Sequence, residues 1–164
     1  MKYAKALGAR LAGYALVGLA EVPMHDLYDV NVASTRAQVT VREQWRERER
    51  ESASEYYRTR AKDGMIAAEV SALAVGDYAM VGIPAELFTT SARQIREHSP
   101  YPITSVMSLT NGNLHYVAES DAFFEGSIIY GAENRVSEMT ERGTGEILAK
   151  AGIEVLRKAK GRSE

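Results

Sequence analysis

The residues with the clearest chemical potential sit where an apolar run breaks at a proline. Val81-Gly82-Ile83-Pro84-Ala85-Glu86-Leu87-Phe88-Thr89-Thr90 reads as a strand that leaves a sheet through Pro84 and delivers Glu86 to the start of a helix. Strand ends in open sheets are where ligands collect. A carboxylate placed there can ligate a metal or serve as a base. The same carboxylate in a first helical turn would also interact favourably with the helix dipole, by roughly 0.3–1 kcal/mol, so its position alone leaves both roles open. A second candidate follows the turn Asn111-Gly112: Asn113, Leu114, His115 and Tyr116 come just after it and could rim a pocket. His115 is equally compatible with a surface or hydrogen-bonded imidazole.

The remaining inventory is short. Histidine occurs three times, at His25, His98 and His115, and cysteine not at all. Disulfides, thiolate nucleophiles and Cys-based zinc or iron–sulfur sites are therefore excluded. No G-x-S-x-G, H-E-x-x-H, P-loop or G-x-G-x-x-G pattern is complete. The 164 residues carry a net charge of −2, which gives no bulk electrostatic reason to bind nucleic acid. Alternating charges over 42–62, seven basic against five acidic, read as an exposed helix with i,i+4 pairs and not as a polyanion site.

These residues need elements to position them. A length of 164 residues, 45% of them hydrophobic, suits one domain with its own core, spanning 1–164. Residues 3–21 read as a first helix, with Tyr3, Leu7, Leu11 and Tyr14 on one face. Its apolar stretch, Leu11–Ala20, is too short to span a bilayer. Lys2, Lys5 and Arg10 before it keep a secretory signal open, but with no cysteines the expectation is a cytoplasmic protein. Strands are expected over 30–41, 65–75, 78–83 and 103–109, with a Gly76-Asp77 hairpin turn. The YAMVGI run at 78–83 is expected to be buried on both faces. Helices are expected over 86–98, 119–125 and 143–159, the last with Thr144 as N-cap and Glu146 in its first turn. The mixture predicts an α/β or α+β fold, a mixed sheet layered with helices.

The order of several blocks resembles a known family. They are G-D-Y-A-M-V-G-I-P-A-E-L-F-T from Gly76, E-H-S-P-Y from Glu97, S-L-T-N-G-N-L-H-Y-V from Ser108, A-F-F-E-G from Ala122 and G-T-G-E-I-L from Gly143. This is similar to the C-terminal half of the catalytic region of neutral/alkaline ceramidases, best over 65–158. The resemblance implies a half-domain of a ceramidase-like fold and zinc-dependent cleavage of an N-acyl amide. It makes Glu86 a zinc ligand. The family's metal-binding tyrosine falls seventeen residues after Asn111, where this chain has Ile128, and Tyr130 two residues later is the nearest substitute. Ala85 replaces the family's glycine. The family's zinc-binding histidines and serine nucleophile belong upstream of the matching region. His98, His115, Tyr116 and Asn111 remain as other pocket candidates.

Three functions follow from that resemblance: a subunit that completes a zinc amidohydrolase with a separate N-terminal-half chain, a non-catalytic oligomerising or binding protein, or a stand-alone hydrolase with a rebuilt metal site. A half-domain of a layered fold is expected to expose an apolar face and to form a homo-oligomer, with helix 3–21 as a contact element.

Overall fold

Two-residue turns set the centre of the sheet. The computed structural model describes residues 2–23, 26, 29–41, 61–122 and 140–161. Asp63 and Gly64, at φ 52° and 76°, join β2 (Ala61–Lys62) to β3 (Met65–Val75). Positive φ at both central positions matches the right-handed twist of the flanking strands. Gly76, at φ 57°, turns β3 into β4 (Tyr78–Gly82), with Val75 opposite Tyr78. The sequence-predicted hairpin is present.

The long strand β1 (Val30–Thr40) pairs antiparallel with all of β3, from Val30↔Val75 to Thr40↔Met65. On its other side β4 pairs in parallel with β6 (Ile103–Met107). A parallel neighbour requires a crossover, and α2 (Thr89–Glu97) supplies it. The sheet order is β1-β3-β4-β6, a mixed sheet. A small parallel pair, β5 (Glu86–Leu87) with β7 (Tyr116–Val117), stands apart from it. The expected α+β class is observed.

The core lies on one face of the sheet. Ala33, Ala37 and Val39 of β1 and the alternate residues Ile66, Ala68, Val70 and Ala72 of β3 are buried, as are Ala79 and Val81 of β4. Against them packs α3 (Thr144–Lys160), through Leu148, Val155 and Leu156, each fully buried. Burial of each such side chain contributes about 1.5–3 kcal/mol. Gly152 lets α3 approach α2: a Cβ there would stand 3.0 Å from Ile95 Cδ1.

Several expectations are corrected. The run from Tyr78 is fully buried on one face, whereas on the other Tyr78 and Met80 are half-buried and no helix among the described residues covers them. Thr144 is the first helical residue of α3 and not its N-cap, which is Gly143 at φ 87°. Of the short helix expected at 119–125, Ser120–Ala122 form a 3-10 turn, and 123–125 lie outside the described residues. Of the charged stretch 42–62, only Ala61 and Lys62 lie among the described residues, and they are strand.

The first helix, α1 (Lys2–Glu21), forms where expected but buries no residue. Leu7, Leu11, Tyr14, Leu16, Val17 and Leu19 are all exposed. They are spread around the circumference instead of forming one stripe, so no single face is selected for docking. No helix among the described residues is long and apolar enough to cross a membrane.

Candidate functional site

At the end of β4 the chain leaves the sheet through Ile83-Pro84-Ala85, all fully or nearly buried, and the returning segment after β6 clasps it strand-fashion. Ile83 N–H donates to the Met107 carbonyl at 2.9 Å, and Thr110 N–H returns to the Ile83 carbonyl at 3.0 Å. Leu109 N–H reaches the Ala85 carbonyl at 3.1 Å and Leu114 N–H the Pro84 carbonyl at 2.8 Å. Glu86 N–H then donates to the His115 carbonyl at 2.9 Å, opening the β5–β7 pair. Proline, with no N–H of its own, is tolerated because only its carbonyl is needed here.

This pairing bears on one of the two roles that the sequence leaves open for Glu86, that of a helix-start carboxylate. The helix begins at Thr89, with Phe88 as its N-cap. Glu86 is an extended residue outside the first turn, so interaction with the helix dipole does not account for it. Its half-buried side chain lines a cleft of about 400 Å³ together with Phe88, Thr89, Ser108, Leu109 and Tyr116.

The returning loop is held in an uncommon conformation. Leu109, Asn111 and His115 have φ of 55°, 61° and 59°. Left-handed backbone is uncommon for residues other than glycine, and such positions cluster at ligand clamps and active sites. Asn113 Oδ1 accepts the His115 N–H at 2.8 Å and so supports the last of these positions.

Of the sequence-predicted site residues, the cleft unites Glu86 and Tyr116. His115 is adjacent, and its backbone carbonyl holds Glu86 in place. Asn111 points elsewhere: its Nδ2 donates to Glu69 Oε1 of β3 at 3.3 Å, on the sheet face opposite α3. His98 caps the far end of α2, exposed, with Nδ1 3.0 Å from the Gln94 carbonyl. The helix of nine residues separates it from the cleft. Tyr130, like Ile128 and His25, lies outside the described residues.

Sequence reasoning missed two features. Ser108 and Leu109 line the cleft because β6 ends at Met107, two residues before its expected end. Glu119 is a buried carboxylate whose Oε1 accepts the N–H of Ser91 in the first turn of α2. Phe88 provides no side-chain cap for that helix, so Glu119 acts as its remote cap. No periodic signal marks it.

A hydrolytic zinc site needs about three protein ligands and an open position. Among the described residues no group of three or more histidine, aspartate or glutamate side chains is placed to hold a metal. One carboxylate and one phenol, Glu86 and Tyr116, do not fit that requirement by themselves.

No family model matches the sequence, and no curated protein matches it. Solved structures do. The chain superposes on the neutral ceramidase from Pseudomonas aeruginosa with a TM-score of 0.53 and 9% identity, covering 82% of this chain and 29% of that one. A ceramidase complexed with C2 aligns at a TM-score of 0.42 and 14% identity, over 61% of this chain and 15% of the other, and at that score adds no argument. At 9% identity the first likeness is one of fold. The chain thus has a ceramidase-like fold and spans less than a third of the length of the ceramidase it matches.

Proposed function

We propose that this chain is one part of a ceramidase-like, zinc-dependent amide hydrolase, inactive alone, that contributes the Glu86-bearing wall of the site. The observation that carries this reading is the placement of Glu86 at the end of β4, locked by the His115 carbonyl and turned to a cleft in which no other described residue supplies an acidic or imidazole lining group. A carboxylate so held suits a site whose remaining ligands come from another chain. The fold likeness and the Pro84-Ala85-Glu86 block support the assignment to this chemistry.

Within such a site this chain's contribution is positional. The β5–β7 pair fixes Glu86, and the Leu109–His115 loop, with three residues at positive φ, brings Leu109 to the cleft wall. Phe88 and Leu109 offer apolar contact next to the carboxylate, suited to an acyl group beside the amide it would carry.

A second reading, a non-catalytic binding or oligomerising protein that keeps the fold, draws on the absence of a ligand triad among the described residues. A stand-alone hydrolase with a rebuilt site is disfavoured by the separation of His98 from Glu86 along α2.

The test is an amidase assay on short- and long-chain N-acyl amines, with and without zinc, on the chain alone and co-expressed with the protein of the neighbouring reading frame. Activity only in the co-expressed sample, lost in Glu86→Gln, is the expected result. Turnover by the chain alone refutes the dependence on a partner. No turnover and no zinc retention in either sample leaves the binding-protein reading in possession.

A further inference from the structure

We infer that residues 2–20 are an export leader and that the Ala20–Glu21 peptide bond is a processing site, cut by a membrane-bound peptidase selective for small side chains. The segment divides into three zones. Lys2, Lys5 and Arg10 put positive charge at its head, and no acidic residue precedes Glu21. Leu11–Ala20 is an uncharged, mostly apolar run, within the roughly 7–15 residues of the apolar centre of such a leader. Gly18 and Ala20, with Leu19 between them, close the run. Small residues at the first and third places before a bond are what a leader peptidase admits.

Three structural observations agree with removal of this segment. The first is that the folded body does not use it. The sheet begins at Val30 and the core at Ala33, whereas Leu11, Leu16, Val17 and Leu19 are 62%, 67%, 57% and 69% exposed. A Cβ on Gly8, Gly13 or Gly18 would meet nothing within 4 Å, so close helix packing does not call for these glycines. The second is symmetry. A docked helix buries one stripe, and a helix apolar on every side is covered only by a medium that surrounds it. The third is length. The run from Leu11 to Ala20 is about 15 Å long as a helix, half of the roughly 30 Å of a bilayer's hydrocarbon core. It is long enough to engage an export membrane and too short to stay as a spanning anchor.

The scissile bond lies in the last turn of α1, and both residues that flank it are exposed. Pro23 cannot continue the helix and biases Val22 toward an extended backbone. The Val22 N–H donates to the Gly18 carbonyl at 3.2 Å, a bond that must open for the chain to enter a protease groove as a strand. Hydrolysis adds water across Ala20–Glu21: the Ala20 carbonyl carbon takes the hydroxyl and leaves as the leader's carboxylate, and the Glu21 nitrogen takes the proton and becomes the new α-amine. Every core residue stays with the processed chain. The lack of cysteine, behind the expectation of a cytoplasmic protein, suits an oxidising compartment equally, since the chain has no thiol to oxidise there.

Pulse-labelling of the full chain, carrying a carboxyl-terminal tag, in a bacterial host with a periplasm tests this. Precursor and processed chain are separated by mass soon after synthesis, so the readout depends on neither folding, zinc nor turnover and stands apart from the proposed chemistry. The expected product is a shorter chain in the periplasm whose amino-terminal sequence reads Glu21-Val22-Pro23. Ala20→Phe is expected to lower the processed fraction at least about tenfold and to leave the precursor at the membrane. Leu16→Arg, which interrupts the apolar run, should keep the full-length chain in the cytoplasm, and Ala4→Ser should leave export and processing unchanged. A full-length parent chain in the cytoplasm, an uncleaved parent chain held in the membrane, a new amino terminus other than Glu21, or parental processing of Ala20→Phe would each overturn the inference.

Discussion

The carboxylate of Glu119 accepts the backbone N–H of Ser91, twenty-eight residues earlier in the chain. That bond ties the segment after β7 to the helix that follows the cleft, and it replaces the side-chain cap that Phe88 cannot provide. Glu119→Ala should destabilise the fold by about 1–2 kcal/mol through loss of the cap and an unpaired amide. Glu119→Gln keeps an acceptor and should cost less. Urea titrations of the two variants check the order.

Gly145 stands where α3 crosses the same segment. A Cβ there would lie 2.8 Å from the Ala118 carbonyl oxygen and 3.1 Å from Ser91 Oγ. The Ala118 oxygen belongs to the backbone and cannot swing aside as a side chain would, so Gly145→Ala should destabilise by roughly 1–3 kcal/mol. Gly8→Ala is the control: nothing lies within 4 Å of it on α1, and the main unfolding midpoint should not fall. Thermal denaturation of both variants gives the comparison.

Since Glu86 is outside the first turn of α2, Glu86→Gln should change stability by less than about 0.5 kcal/mol, as expected of a partly exposed side chain that packs no core. A larger loss in a denaturant titration would make Glu86 a structural residue. Metal content measured alongside separates a ligand from a bystander: equal zinc in variant and parent removes Glu86 from the ligand set.

Glu146 gives a pH dependence. Partial burial pushes its carboxyl upward, but hydrogen bonds from the Ser120 and Glu146 amides outweigh this and leave it below the usual glutamate range. A carboxyl lowered on folding adds stability above its unfolded pKa, about 4.3, and that stability is lost as pH falls through the lower folded value. Glu146→Gln should therefore flatten the acid limb of a stability–pH curve below about pH 4.3. An unchanged limb would show that another carboxylate carries the effect.

Local signals made much of this architecture legible. The Gly76-Asp77 turn, the alternation from Ile66 to Ala74 and the Leu148/Val155 stripe each specify their element within a few residues. What failed depended on distant partners. Glu86 and Leu87 look like a helix start, but the Tyr116–Val117 strand captures them, and a pairing across thirty residues leaves no mark on local propensity. Glu119 looked like part of its own short helix and serves another. The apolar residues of α1 read as a contact element, and composition does not tell whether the surface they would meet lies in the same chain. In the site, the Glu86 position was readable from Pro84, whereas Ser108 and Leu109 entered it only because β6 stops at Met107.

The Gly76 turn also has a kinetic consequence. It joins adjacent strands with two residues, so β3 and β4 can meet in microseconds, the time of an isolated hairpin. The parallel partner β6 must wait for the whole α2 crossover, and β1 for the closure of the stretch between Thr40 and Met65. The hairpin is then the natural nucleus, and the rate-limiting step is the arrival of its neighbours on a template already formed. Gly76→Ala strains a backbone at φ 57° and should appear mainly as slower folding, with the unfolding limb of the chevron nearly unmoved. A shift confined to unfolding would place the birth of this sheet at another strand pair.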